Sequence, residues 1–266
     1  MNRGVETSYS GGRIISNASK HVKVGCCGFP VARAKYYEVF EVVELQNTFY
    51  DLPDIEWAIR VRREAPGGFE FTVKAWQVIT HHSTSPTWKK MRKKPEGEVE
   101  KYGYLRPTRE NFVALEKTIE VARALESRII VLQTPGSMPY TDESVRWVND
   151  FFEEASSIAS GIILAWEPRG EWAKAPELTR LLERHGIIHV TDLLREKPLL
   201  INKGVLYTRL HGLGGGEVNY SYTYTPEDLS RLKILLEEFS FEKAYVMFNN
   251  VKMWQNAQEF KTLLRG

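Results

Sequence analysis

Hydrophobic residues fall into eight short runs separated by longer stretches with helical spacing. The runs are HVKVGCC (21–27), VVEL (42–45), FEFTVK (69–74) and RIIVLQ (128–133), then GIILAWE (161–167), IIHVTD (187–192), VLYTRLHG (205–212) and AYVMFNN (244–250). Runs this short and this apolar suit strands covered on both faces, as in parallel sheets. Between them, Phe112, Leu115, Ile119, Ala122 and Leu125 keep the three-or-four spacing of one apolar helix face. Thr108, Glu110 and Asn111 supply its polar start. Val145, Val148, Phe152 and Ala155 repeat the pattern, as do Leu178, Leu181 and Leu182 before a stop at Gly186. Leu229, Leu232, Leu235 and Leu236 predict another helix, and Ala257, Phe260 and Leu263 the last.

Eight strands, each followed by a helix or a helix-like connection, predict an α/β fold of the (β/α)8 barrel type, and 266 residues fit it. The sixth connection, LLREKPLLINKG, is too short for a full helix. A doubly wound sheet is the rival, but no G-x-G-x-x-G opens a helix after the first strand. Residues 1–20 read as a polar tail and 21–266 as one barrel domain, since no linker rich in Pro, Gly or Ser divides them.

The strand ends carry the chemistry. In such barrels the active site forms where strands end and βα loops begin. Those positions hold Glu44 with Asn47 and Tyr50, Lys74 followed by His81, and Gln133. They also hold Glu167 with Arg169, Asp192, Arg209 with His211, and Asn249 with Asn250. A carboxylate inside the apolar run VVEL is then explained as one member of a ring facing a common mouth. The competing reading is a structural network, because buried ions must pair or neutralise.

Charge sharpens this picture. The formal net charge is +2, yet residues 87–109 hold eight Lys/Arg against three Glu, so a basic segment rides on a mildly acidic body. It falls in the long loop after the third strand, on the mouth side. Lys89, Lys90, Arg92, Lys93 and Lys94 would meet phosphates of DNA or RNA, and Trp88, Tyr102 and Tyr104 would stack on bases. No apolar run is long enough to span a bilayer, and the start lacks an apolar signal core, so a cytoplasmic location without membrane attachment is expected. Cys26 and Cys27 are adjacent and expected as reduced thiols.

VELQNTFYDLP, FEFTVKAWQVITH, AWEPRGEW, TRLHG and VMFNN, in that order, resemble the signature stretches of the YecE-like family, also called domain of unknown function 72. The resemblance runs from about residue 21 to 262. It implies a TIM-type barrel and no established activity. Barrels of this family are likened to the metal-dependent repair nuclease endonuclease IV, an analogy of fold. VGCCGFP departs from the usual pattern, in which small hydroxyl residues and a Trp are commoner than Cys26, Cys27 and Phe29.

Three chemistries are open. Metal-assisted phosphodiester cleavage would draw ligands from His81, Glu167, Asp192, His211 and Glu44, enough for at most one divalent ion. Glycoside hydrolysis would pair Glu167 with Glu44 or Asp192, with Trp76, Trp166 or Trp172 as sugar platforms. A Schiff base on Lys74 needs a desolvated amine, and acidic neighbours are expected to keep that amine charged instead. The leading expectation is an anionic, phosphate-bearing ligand, with nucleic acid first. Arg169, Arg209 and Lys74 would bind its oxygens, Glu167 or Asp192 would be the acid/base group, and His211 would orient or donate. A carbohydrate-active hydrolase and a non-catalytic binding protein are the alternatives.

Overall fold

The computed structural model describes residues 21–266; the expected polar tail, residues 1–20, lies outside the described residues. Eight strands, β1 (His21–Cys27), β2 (Val42–Leu45), β3 (Glu70–Lys74), β4 (Ile129–Gln133), β5 (Ile163–Glu167), β6 (Ile188–Thr191), β7 (Val205–Leu210) and β8 (Lys243–Phe248), pair in sequence order. All pairs are parallel, and β1 closes the barrel on β8. The expected (β/α)8 barrel is therefore the observed fold.

Alternation of side chains along each strand builds two cores. In β4, Ile129 and Val131 join a cluster inside the barrel with Val42, Ala165, Ile188, Val190, Tyr207 and Met247. Ile130 and Leu132 point the other way, into the larger cluster between barrel and helices. Because both faces of most strands are buried, the runs are largely apolar throughout; β3, which alternates Glu70, Thr72 and Lys74 with Phe71 and Val73, is an exception. The same parity fixes the ends: Glu44 lies two residues beyond Val42, Gln133 two beyond Val131, Glu167 two beyond Ala165, and Arg209 two beyond Tyr207. Each of these polar side chains is thus the top interior position of its strand.

The helices are α1 (Arg33–Val39), α2 (Asn47–Tyr50), α3 (Ile55–Glu64), α4 (Gln77–Thr80), α5 (Arg109–Ala124), α6 (Asp142–Ile158), α7 (Leu178–His185), α8 (Pro226–Glu237) and α9 (Met253–Leu263). Thr108 caps α5 by accepting from the Asn111 amide at 3.3 Å, and capping boxes start α6 at Thr141 and α8 at Thr225. Gly186 ends α7 in the left-handed region. The short α1 and α3 escape the periodicity reading because each buries too little: Tyr36 alone in α1, Ala58 and Val61 in α3. Tyr36 is nonetheless a tie between strands, accepting from the Cys26 amide at 2.8 Å and donating to the Val42 carbonyl at 2.9 Å. The sixth connection holds no helix.

Phe152 of α6 is fully buried, its ring 5.4 Å from that of Trp166 on β5. Phe152→Ala should remove about 3–5 kcal/mol of stability, read as a lower urea midpoint with an unchanged slope. A loss below about 1 kcal/mol would mean that helix and barrel do not share this core.

Candidate functional site

The top interior positions meet in two tiers. The lower tier is sealed. Glu44 and Arg209 are both fully buried, and the Arg209 guanidinium sits 2.9 Å from Glu44 and also bridges to Glu167. Glu44 further accepts from the Tyr207 hydroxyl at 2.8 Å and from the Gln46 amide, while Thr72 meets the same Tyr207 hydroxyl at 2.7 Å. Burial by itself would weaken the Arg209 charge; Glu44 and Glu167 reverse that and fix it. Glu44 and Arg209 are therefore corrected from acid/base and ligand-binding groups to a structural ion pair, because no surface remains for a substrate to touch.

The upper tier reaches the mouth. Glu167 accepts two bonds from Arg169, at 2.9 and 2.7 Å, and lies 3.2 Å from His211 Nε2. Burial raises the Glu167 carboxyl, but Arg209, Arg169 and His211 together hold it well below the usual carboxylate range. An acid that must be protonated at neutral pH is the opposite of this, so Glu167 is a fixed anion rather than a proton donor. The Asn249 amide lies 3.1 Å from His211 Nδ1, which leaves Nε2–H to face Glu167. Burial lowers the His211 imidazole and keeps it neutral. Gly170, after Arg169, has φ +65°, and a Cβ there would stand 2.5 Å from the Gly136 carbonyl, so the loops after β4 and β5 touch through it.

Asp192 behaves differently from Glu167. Burial raises it to about 6, opposed by backbone amides of His211 and Leu194 and by Arg195. It lines a cleft of about 870 Å³ with Glu167, Arg169, His189, Thr191 and His211. Five carboxylates border that cleft (Glu167, Glu171, Asp192, Glu196, Glu217) against three cations (Arg169, Lys174, Arg195), so it is not electropositive.

Positive character lies on the other side, over β2 and β3. Lys74 Nζ donates to Gln133 Oε1 at 3.0 Å and rests 4.0 Å above the Phe49 ring, with no carboxylate in ion-pair contact among the described residues. Burial, helped by the like charge of Arg209, lowers its pKa to about 7, and Glu167 and Glu44 only partly oppose this. The expectation that acidic neighbours keep Lys74 charged is thus overturned: those carboxylates are already spent on arginines. His81 packs edge-on to Phe49 at 5.0 Å, and burial lowers it to about 3, so it is a neutral ring.

The basic loop is ordered rather than loose. Asn111 holds Gly103 through both its amide and carbonyl, and Gly103, φ +89°, passes so close to His82 that a Cβ would lie 2.5 Å from its nitrogen. Arg92 and Lys93 turn towards Asp51, which accepts from both backbone amides, and Lys93 pairs with Asp54 at 3.8 Å. Lys89, Lys90 and Lys94 are exposed, and Lys90 lies 5.4 Å from the ring of Tyr50. Tyr50 touches Phe49 edge-on at 5.1 Å, so Lys90 on the rim and Lys74 below it flank one aromatic pair.

Several expectations fail on burial. Trp76, Trp166 and Trp172 are core residues, not sugar platforms, and Tyr102 is buried with its hydroxyl on the Glu96 carbonyl. Trp88 is half-buried with its indole N–H on the His81 carbonyl, while Tyr104 stacks on His82. Asn250 is buried, tying Tyr222 to Asn256. Asn47 is exposed at the first position of α2. Cys26 and Cys27 are free and buried, which pushes Cys26 up to about 12. The side chains proposed as metal ligands do not fit one: among the described residues no group of three or more His, Cys, Asp or Glu could hold an ion, since guanidiniums occupy the carboxylate oxygens. No described helix is long and apolar enough to cross a membrane.

The chain belongs to the family described as protein of unknown function DUF72, whose model matches residues 32–266. A DUF72 protein of Enterococcus faecalis is similar at 15% identity and a TM-score of 0.71, covering 94% of this chain and 99% of its own. One from Thermotoga maritima reaches 25% identity and a TM-score of 0.65, covering 92% and 100%. D-psicose 3-epimerase, at 11% identity and a TM-score of 0.55 over 92% and 97%, shares the fold. No curated protein matches the chain.

Two outcomes check the site's electrostatics. Arg209→Met leaves Glu44 buried without a counter-ion and should cost about 3–5 kcal/mol in urea unfolding. A neutral result there would show that Glu44 does not depend on the pair. Lys74 has a folded pKa of about 7 against an ordinary value of 10.5, so the unfolded chain binds more protons between those limits and wild-type stability rises with pH across them. Lys74→Met lacks that term. Its stability advantage over wild type should be largest near about pH 6 and shrink by about pH 9; a constant gap would mean an unperturbed amine.

Proposed function

We propose that this protein binds a phosphate-bearing ligand, nucleic acid foremost, across the β2–β3 side of its barrel mouth. The observation that carries the reading is Lys74. Both guanidiniums of the upper and lower tiers are matched by carboxylates, whereas the Lys74 amine has a neutral amide and an aromatic face. With no carboxylate beside the Lys74 amine, that side of the mouth would admit a phosphate held by Lys90 on the rim above it. Lys89, Lys90 and Lys94 extend the same positive surface outwards along the loop, and a polyanion gains most from such a line of exposed cations. Arg169, held by Glu167, positions rather than neutralises.

The cleft beside β5–β7 supports a second reading. Asp192, raised to about 6 and facing a cavity with no positive excess, suits a general acid for a neutral polar substrate such as a sugar. Glu167 and Glu44 take no part in it. Loss of sugar turnover in Asp192→Asn, with unchanged oligonucleotide binding, would select this reading over the first.

A fluorescently labelled single-stranded oligonucleotide should bind with salt-sensitive affinity. Lys89→Ala/Lys90→Ala/Lys94→Ala should lower the slope of log affinity against log salt by about 2, as three single-strand phosphate contacts would. Arg92→Ala/Lys93→Ala should change it less, because Asp51 and Asp54 already engage those residues. Binding indifferent to salt and to the triple substitution would defeat the proposal.

A further inference from the structure

We propose that Lys74 is a catalytic nucleophile that forms a Schiff base with an aldehyde or ketone carbon of the phosphate-bearing ligand. The inference rests on the ligand class proposed above and adds covalent chemistry to it. Its ground is geometric. Lys74 ends β3 on the barrel interior with 8% of its surface exposed, so its amine is drawn almost wholly from water. A nucleophilic amine must be neutral, and neutrality needs the absence of a bound carboxylate. Every charged group around it is accounted for. Glu44 from β2 and Glu167 from β5 are clamped by Arg209, Glu167 also by Arg169, and His81 of the β3 loop is a neutral ring. The two arginines repel a proton on Lys74, and burial acts in the same direction, which places its pKa near the pH of use at about 7.

The partners that Lys74 does have favour the reaction. Gln133 Oε1 accepts one N–H at 3.0 Å, and the Gln133 amide is itself fixed by donating to the Thr134 carbonyl at 3.0 Å. That bond orients the nitrogen without holding a charge on it. The Phe49 ring, 4.0 Å from Nζ, excludes water from one side and attracts a cation when one forms. In the step, the Nζ lone pair bonds to the carbonyl carbon while the C=O π pair moves to oxygen, and a proton passes from nitrogen to that oxygen. The hydroxyl then leaves as water with one proton from solvent, and the C=N bond carries the positive charge. No oxidant or reductant is needed. The iminium lies over Phe49, near the fixed anion of Glu167, so the surroundings that disfavour a hydrated ammonium do not disfavour the product equally.

The carbonyl has two sources of one chemistry: the open chain of a free sugar phosphate, or a deoxyribose in DNA that has lost its base and opens to an aldehyde. Wild-type protein is incubated near neutral pH with glyceraldehyde, glyceraldehyde 3-phosphate or an oligonucleotide carrying one base-free site. Each mixture is reduced with cyanoborohydride and mapped by peptide mass spectrometry. Lys74 should be modified ahead of the exposed lysines, and inorganic phosphate should slow the phosphorylated probes. Lys74→Arg should lose the adduct. A preference for the base-free oligonucleotide assigns the polymer, and one for glyceraldehyde 3-phosphate assigns the free ester. Modification spread over surface lysines, with Lys74 untouched while oligonucleotide binding persists, overturns the nucleophile but not the ligand class. Equal labelling of Lys74 by glyceraldehyde and its phosphate ester upholds the nucleophile and overturns the ligand class. Because the map is read on wild-type protein, the result stands whether or not a variant folds.

Discussion

A guanidinium fully removed from water, with a carboxylate on either side, is the constraint from which the barrel mouth follows. Arg209 cannot lose its proton, so its burial requires both Glu44 and Glu167, one from β2 and one from β5. Those strands lie on opposite parts of the ring, and the bridge ties them across the barrel axis. Tyr207 and Thr72 complete the layer from β7 and β3. Above it lie the Lys74 amine under the Phe49 ring and the Glu167 carboxylate. The ion layer is therefore both the roof of the hydrophobic interior and the floor of the mouth.

That floor determines what the groups above it can do. Glu167 is shared between Arg209, Arg169 and His211, which makes it a strongly held anion and leaves its lone pairs engaged. Lys74 is beside two carboxylates in space yet gains little from them, because their charge is already compensated. A buried amine next to a neutralised pair behaves as an amine next to dipoles, and desolvation wins. Asp192, one strand further round, meets backbone amides and only a longer, 3.7 Å approach of Arg195, and burial moves its carboxyl upwards instead. Three ionisable groups on one rim thus have three different protonation behaviours.

The loop after β3 couples this interior to the surface. Its five clustered cations are all exposed, and of them Arg92 and Lys93 also reach Asp51 and Asp54 after β2. Its aromatic residues serve mainly to build it, as Tyr102 in the core and Trp88 on the His81 carbonyl show. The loop is thus held at the mouth through Asp51, with its charge displayed outward.

The one-dimensional pattern sufficed for the barrel. Apolar runs of strand length with helical stretches between them leave few ways to bury two faces of every strand, and parity along VVEL, RIIVLQ and VLYTRL places Glu44, Gln133 and Arg209 at interior ends. The short α1 and α3, which bury only Tyr36 and only Ala58 with Val61, left no comparable signal. Which charge meets which was decided only in three dimensions, because pairing depends on the angle around the ring between strands distant in sequence. Hence Glu44 and Arg209 became a sealed pair, the tryptophans became packing, and Lys74 became an amine of lowered basicity, since solvation and the prior commitment of neighbouring charges are properties of the closed barrel and not of any segment of the chain.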